Sequence, residues 1–380
     1  MDFSFTPEQD ELRSHVQELL DDVCTPEYAQ RCDERGAPPR EAYDALGRHG
    51  WLGLIIPSEH GGSGASAIEL AILLEECGRH FEELGMWVFR TITYGGYAVM
   101  KHGTPEQQRA LLPKVARGEL TFCFGLSEPH AGSDAAAVAT RAVAVDGGYV
   151  INGQKVFTSG MDLSDYCLLV TRTSSEGRKQ QGVTTFLVDT KLPGIEVKKI
   201  ATLGQRAIGT TQVFYNDVKV PASAVLGKVD HGWEQVDSYL WYERLCLSAA
   251  RTGAASAAFD YALEYAKNRK QFDRPIGSFQ AISHKLADMK VMLDVSRMLV
   301  YRFAWLMNEG KATRHDAAVL KLYTSESYKA VSDLGLQILG GYGYCMEYPM
   351  QRFFRDSRLA TIGAGTSEIQ RNIIARGLGL

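Results

Sequence analysis

Tyr166-Cys167-Leu168-Leu169-Val170 and Thr184-Thr185-Phe186-Leu187-Val188 are short runs of aliphatic, aromatic and β-branched residues, and they set the reading of the whole chain. Three more runs of this kind lie close by: Thr121-Phe122-Cys123-Phe124, Tyr149-Val150-Ile151 after Gly147-Gly148, and Gln212-Val213-Phe214-Tyr215. Short strands with turn signals at this spacing predict a small sandwich or barrel. Pro193 and Pro221 fall between or after the runs, where the missing N–H is tolerated.

On both sides the pattern becomes helical. Upstream, Thr6-Pro7-Glu8-Gln9 and Thr104-Pro105-Glu106-Gln107 are helix starts, each with a hydroxyl N-cap, proline at the first helical position and glutamine at the third. Ala67-Ile68-Glu69-Leu70-Ala71-Ile72-Leu73-Leu74 is apolar nearly all round and predicts a buried helix, preceded by the loop Gly61-Gly62-Ser63-Gly64. Downstream, 232–270 lacks proline and is rich in Ala, Leu and Glu, and 278–309 and 313–339 repeat the pattern at similar length. Long helices with short connections predict an antiparallel bundle. The expected fold is α+β: an N-terminal α-helical domain (1–117), a middle β-barrel or sandwich domain (118–228) and a C-terminal helical domain of the four-helix-bundle type (229–380).

Composition limits the function classes. With 380 residues, 45% hydrophobic and 23% charged, the chain has enough length and apolar content for two or three packed domains, which excludes a disordered or collagenous protein. A net charge of −4 without a basic run argues against nucleic acid or an anionic membrane as partner. No stretch approaches the ~20 apolar residues of a membrane span. Met1-Asp2-Phe3-Ser4-Phe5-Thr6-Pro7 has neither a basic region nor an apolar core, so no signal peptide is expected there. The seven cysteines are scattered and form no Cys-x-x-Cys, which predicts reduced thiols, a cytoplasmic location and no metal site.

The candidate chemistry begins at Tyr239-Leu240-Trp241-Tyr242-Glu243-Arg244-Leu245-Cys246-Leu247. On a helix Glu243 shares its face with Tyr239, Leu240, Cys246 and Leu247, none of them a cation. A carboxylate on an apolar stripe is paired or functional, and desolvation would raise its pKa toward that of a general base. The structural alternative is an ion pair with Arg244 or a distant arginine. Leu126-Ser127-Glu128-Pro129-His130-Ala131-Gly132-Ser133-Asp134 offers small residues and hydroxyls through which backbone N–H groups approach a polar ligand, or else a plain turn in which His130 is a loop residue. Gly363-Ala364-Gly365-Thr366-Ser367-Glu368-Ile369 opens a helix, either as an anion-accepting start or as an ordinary cap. Arg269-Lys270-Gln271-Phe272 reads by default as a solvated helix end. No strand–GxGxxG–helix unit, Walker loop, His-Glu-x-x-His or Gly-x-Ser-x-Gly occurs.

Taken in order, these segments resemble the acyl-CoA dehydrogenase family over essentially the whole chain. To the loop 126–134 they add Asn152-Gly153-Gln154-Lys155-Val156-Phe157-Thr158-Ser159, Arg269 through Gln280, Gln337-Ile338-Leu339-Gly340-Gly341-Tyr342-Gly343, Arg352-Phe353-Phe354-Arg355-Asp356, and Gly365-Thr366-Ser367-Glu368-Ile369-Gln370-Arg371. The resemblance implies FAD held by Phe124, Leu126, Ser127, Ser133, Phe157, Thr158, Ser159, Arg269, Phe272, Gln280, Gln337, Gly341, Thr366 and Glu368, with the Arg269–Gln280 segment serving a neighbouring subunit's FAD. It implies α,β-dehydrogenation of an acyl-CoA thioester, with Ser133, Arg244, Gly363, Ala364 and Gly365 at the substrate. The implied partners are an electron-transfer flavoprotein and further copies of the chain in a homotetramer, a dimer of dimers. The implied setting is fatty acid or amino acid degradation.

Most members of that family carry the catalytic glutamate where this chain has Ala364, and a methyl group takes no proton. A minority branch, including isovaleryl-CoA dehydrogenases, carries it on the first bundle helix directly before an arginine, and Glu243-Arg244 matches that placement. Gly363 stands where a bulky aromatic often stands, which favours a short or branched acyl group. Ser159 replaces a usual threonine, and Trp241 replaces a polar residue near the pantetheine end, leaving CoA and an acyl-carrier-protein both open as carrier. Other readings are an acyl-CoA oxidase, an enoyl-CoA reductase of the same fold, or a non-catalytic nucleic-acid binder, the last disfavoured by charge.

Overall fold

The computed structural model describes residues 4–380, so Met1-Asp2-Phe3 of the chain-start motif lies outside the described residues. The first layer is helical: α1 (Pro7–Val23), α2 (Pro26–Arg35), α3 (Arg40–Arg48), α4 (Ala67–His80), α5 (Glu82–Arg90), α6 (Ala98–His102) and α7 (Pro105–Ala116). Both predicted caps form. Thr6 Oγ1 accepts from the Gln9 N–H at 3.3 Å while the Thr6 N–H donates to Gln9 Oε1 at 3.1 Å. The same reciprocal pair joins Thr104 and Gln107. Between α5 and α6 the chain widens into a π-helical segment, Thr91–Tyr97, which shifts the direction of its side chains relative to an ordinary α turn.

The middle layer is one sheet of β1 (Phe122–Gly125), β2 (Arg141–Val145), β3 (Gly148–Ser159), β4 (Tyr166–Arg172), β5 (Val183–Asp189), β6 (Ile195–Ile200), β7 (Thr210–Pro221) and β8 (Val225–Leu226). Its order is β6-β7-β3-β2-β4-β5-β8, with β1 parallel to β4. A single parallel pairing, Arg141 with Arg172, joins the two halves, and the sheet closes around its own core of Ile151, Phe186, Val213, Tyr215 and Val218. The predicted strands are all present. β2 and β6 carry no comparable apolar run, because most of their side chains lie partly or fully in solvent.

The third layer is α8 (Gly232–Asn268), a small hairpin of β9 (Lys270–Gln271) and β10 (Arg274–Pro275), then α9 (Gln280–Asn308), α10 (Arg314–Leu339), α11 (Met350–Ala360) and α12 (Ser367–Gly377). The hairpin corrects the expectation of a solvated helix end at 269–272. α8 stops at Asn268, and Phe272 and Asp273, both at positive φ, form the two-residue turn that matches the twist of paired strands. All seven cysteines are unpaired. No helix among the described residues is long and apolar enough to cross a membrane.

A partly buried loop, 203–208, joins the three layers. The Glu83 carboxylate of α5 accepts from the Ala207 and Ile208 N–H groups at 3.1 and 2.7 Å. Asp356 of α11 accepts from the Gln205 N–H at 2.6 Å, and Arg355 donates to the Leu203 carbonyl at 3.1 Å. Burial pushes Glu83 up to about 7 and raises Asp356 as well. These acids act as backbone acceptors where no water is available.

α8 reaches the N-terminal layer through two glycines. A Cβ on Gly78 of α4 would lie 1.9 Å from the Ala250 carbonyl oxygen, and one on Gly253 of α8 would lie 1.9 Å from that of Glu75. Either side chain would force the helix backbones apart. Gly78→Ala and Gly253→Ala should each destabilise the protein by about 3 kcal/mol, the upper range for overpacking, read as a lower urea midpoint; an unchanged midpoint in both variants would show that the helices part freely.

Candidate active site

Glu243 sits in the first third of α8 and is 7% exposed. No cation among the described residues comes within ion-pair distance of it, and its Oε2 has no hydrogen-bond partner. Burial, the largest influence, pushes the carboxyl above its ordinary range; the Tyr94 hydroxyl and the positive charges of Arg244, Arg251 and Arg90 act in the opposite direction. Arg244 is also buried, with Nε and Nη1 both unpartnered. The structural alternative of a closed Glu243–Arg244 pair is therefore absent. A carboxyl group buried in this way holds a proton more tightly than an exposed one.

An aromatic wall connects this carboxylate to the sheet. Tyr94, from the π-helical segment, stacks on Phe124 at the end of β1 with centroids 4.8 Å apart, and both pack edge-on against Tyr239, one turn before Glu243. The following loop is tied to β3. Lys155 Nζ donates to the Leu126 carbonyl at 3.0 Å and to Glu128 Oε1 at 2.7 Å, while the Val156 N–H donates to the Ser127 carbonyl at 2.9 Å. Glu128 also accepts from the Ala139 and Thr140 N–H groups. Burial lowers the Lys155 pKa to about 8, against the pull of Glu128.

Immediately beyond, the register with β7 slips between Lys155 and Thr158. Phe157 takes φ 58° and projects its ring outward, 67% exposed. Thr158 Oγ1 is buried without a partner, and Ser159 Oγ lies 3.4 Å from Thr210 Oγ1. A bulge that re-aims side chains beside a cleft is a recurrent active-site device. Ser133 is exposed in the loop, and so is His130, whose ring nitrogen lies 3.4 Å from Glu128. No metal-binding group of residues occurs among the described residues.

At the start of α12, Ala364 has φ 55°, a strained value for a residue with a Cβ. Its carbonyl and that of Gly365 are held by the Gln370 amide at 3.3 and 3.0 Å, and Lys321 Nζ donates to the Gly365 carbonyl at 2.7 Å. The Ala364 N–H donates to no group among the described residues. A Cβ on Gly363 would meet nothing closer than 3.6 Å, so space remains there. Thr366 caps the helix by accepting from the Ile369 N–H at 3.2 Å, with Glu368 exposed in the first turn. Burial, then Arg251 and Arg244, lowers Lys321 to about 7.

The other implied cofactor residues gather elsewhere. Arg269, Phe272 and Gly341 line a cavity of about 680 Å³ with Phe279, Ile282 and Tyr342, and Gln280 and Gln337 each precede a lining residue. A Cβ on Gly341 would meet nothing within 4 Å, and Phe272 is 86% exposed. Arg269 lies 26 residues beyond Glu243, roughly 39 Å along the α8 axis at 1.5 Å per residue. The two clusters are thus separate places on one chain.

Three residues of the site lie outside the quoted motifs, Arg90, Tyr94 and Lys321, and Lys155 lies inside one without a role of its own. An arginine closing the apolar run Met86-Trp87-Val88-Phe89 was the signal available for the first. Because Lys155 neutralises Glu128 and holds the Leu126 carbonyl, Lys155→Met should cost about 3 kcal/mol or more, as for breaking one side of a buried pair. It should also release bound flavin, measured by urea unfolding and by flavin fluorescence; undiminished values of both would remove this anchoring role.

Three family domains match the chain: the acyl-CoA dehydrogenase N-terminal domain over residues 6–119, the middle domain over 123–218 and the C-terminal domain over 230–379. A probable acyl-CoA dehydrogenase of Bacillus subtilis is 36% identical, with 100% of both chains covered. A 3-(aryl)acrylate reductase of Clostridium sporogenes is 36% identical over 98% of this chain and 99% of its own. Among solved structures, butyryl-CoA dehydrogenase from Megasphaera elsdenii superposes with a TM-score of 0.95 at 31% identity, covering 100% of each chain. The helix–sheet–helix architecture, the unpaired carboxylate and these full-length matches lead to one conclusion: the chain belongs to the acyl-CoA dehydrogenase family of FAD-dependent oxidoreductases.

Proposed function

We propose that this chain removes the α and β hydrogens of an acyl thioester, giving the trans-2-enoyl product, with Glu243 as the general base. The observation that carries this reading is the buried, unpaired Glu243 carboxylate in a chain whose α12 loop offers only Ala364. FAD, when bound, would supply the hydride acceptor that this chemistry requires. Glu243 takes the α proton, and burial makes it basic enough to do so. Charge developing on the thioester oxygen needs a fixed donor, and the unoccupied Ala364 N–H, held in place through Gln370 and Lys321, is the one this chain provides. Arg244 supports substrate binding, and the space beside Gly363 favours a short or branched acyl group.

For the cofactor, the orphaned Thr158 hydroxyl, the outward Phe157 ring, Ser159, Phe124, Leu126, Ser127 and Ser133 are assigned to the flavin end. Thr366 and Glu368, at the start of α12, belong to the same assignment. Arg269, Phe272, Gln280, Gln337 and Gly341 are assigned to the nucleotide end of a cofactor on another copy. A distance of roughly 39 Å along α8 argues against one molecule touching both clusters of one chain. The assembly proposed is a homotetramer in the cytoplasm, with an electron-transfer flavoprotein as electron acceptor, acting in fatty acid or amino acid degradation on a CoA or carrier-protein thioester.

The reverse reaction, reduction of an enoyl thioester with Glu243 returning the proton, is the second reading. It is favoured by the reductase name of the Clostridium sporogenes relative.

Glu243→Gln should keep its flavin and lose about 10³-fold in anaerobic flavin reduction by the best acyl-CoA of a straight- and branched-chain panel, the middle of the range for a lost acid–base group. Flavin bleached at the wild-type rate in that variant would overturn the assignment. Since the deprotonated carboxylate acts and burial raises its pKa, kcat/KM for dehydrogenation should climb with pH through a midpoint above the ordinary carboxylate range, and Glu243→Asp should move that midpoint. Phe272→Ser with Arg269→Ala should loosen FAD despite leaving Glu243 untouched; unaltered FAD retention would refute the cross-copy assignment.

A further inference from the structure

Arg90, the last residue of α5, is 8% exposed, and its guanidinium makes no hydrogen bond and no ion pair with any described residue. Nη1 is fully buried without an acceptor. The Phe89 ring lies 5.5 Å from the guanidinium carbon, but a ring face supplies no hydrogen-bond acceptor for Nη1, and leaving a buried cation in this state is expensive. Arg244, in the same region, is likewise unpartnered at Nε and Nη1, and Arg352 at Nη1, whereas two other deep arginines are supplied. Arg355 is paired with Asp33, and Arg251 lies 3.9 Å from Glu82 and donates to the Ala360 carbonyl.

The acids nearest Arg90 are not free to serve it. Glu83 already spends both oxygens on the Ala207 and Ile208 N–H groups. Glu243 is the proposed base and stays beyond ion-pair distance. Arg90 and Glu243 nonetheless act on each other's ionisation, and Arg90 acts together with Tyr94, which stacks on Phe124. Arg90 stands four residues before Tyr94, whose ring lies 6.3 Å from that of Tyr239, one turn before Glu243, so the cation is placed at the aromatic wall that leads to the carboxylate. What it lacks is an acceptor brought from outside.

This inference rests on the thioester reading above. We propose that the acyl group carries a carboxylate at the end remote from the thioester, and that Arg90 binds it. The substrate class is then a CoA or carrier-protein thioester of a dicarboxylic acid. A guanidinium gives a carboxylate two parallel donors, and it selects against a neutral acyl group, which would leave the buried charge unpaired.

The test uses the FAD-loaded enzyme with succinyl-, glutaryl- and adipyl-CoA against butyryl-, valeryl- and hexanoyl-CoA of matched length. Anaerobic flavin bleaching should favour one dicarboxylyl-CoA over its neutral counterpart by about 100-fold in kcat/KM, the order lost on truncating one partner of a buried charge pair. Arg90→Met should abolish or reverse that preference, and Arg90→Lys should retain part of it; flavin content and melting temperature identify any variant that fails to fold. Should Arg90 instead only brace Glu243, Arg90→Met would slow every substrate equally and shift the acid limb of the pH profile, which overturns the proposal. Equal wild-type rates with charged and neutral acyl groups overturn it too, while leaving the dehydrogenation reading intact. If no acyl-CoA bleaches the flavin, dehydrogenation fails, and the proposal is then decided by binding: perturbation of the flavin spectrum should give tighter dissociation constants for the dicarboxylyl-CoAs in wild type alone, and indiscriminate binding sinks it.

Discussion

The loop at 203–208 is the constraint on which the site depends. Gln205, Ala207 and Ile208 of this loop are buried, and their N–H groups must find acceptors inside the molecule. Glu83 from the first helical layer and Asp356 from the last provide them, and Arg355 donates to the Leu203 carbonyl. Because one loop of the sheet domain is bonded to both helical layers, none of the three can rotate without breaking several buried hydrogen bonds. That rigidity fixes β1 and its Phe124, on the sheet, relative to Tyr239 and Glu243 on α8. The loop itself is unremarkable in composition, and nothing about Gly204-Gln205-Arg206-Ala207 on paper marks it as the joint.

Within that frame, the interior holds charges that the chain does not neutralise. Glu243, Arg90 and Arg244 lie in one region, and each has at least one polar atom without a partner. Several other buried charges of the protein are paired. Lys155 meets Glu128, Arg355 meets Asp33, and Tyr328 donates to Glu82. Unsatisfied groups in a well-packed interior indicate where other molecules complete the structure. The strained Ala364 belongs to the same pattern: its φ is sustained by two side chains, Gln370 and Lys321, that hold the neighbouring carbonyls.

Much of the architecture was legible because it rests on local rules. The capping boxes at Thr6 and Thr104 need only residues three apart, and the helices α8, α9 and α10 follow from long stretches without proline. The strands buried on both faces were legible as apolar runs. β2 and β6, with side chains in solvent, were not, and the Phe272-Asp273 turn was taken for the end of a helix because a hairpin of two-residue strands leaves almost no pattern.

The sequence by itself determined the helix–sheet–helix order and the resemblance that names the family, and it singled out Glu243 as a carboxylate on an apolar stripe. These are properties of residue type and spacing. Only the tertiary structure decided that the stripe stays free of a counter-ion, that Arg90 is left unpaired beside it, and that Lys155 and Lys321 hold the two loops of the site. Each of those depends on which side chains from distant segments arrive within a few ångströms of one another, and spacing along a chain carries no such distances.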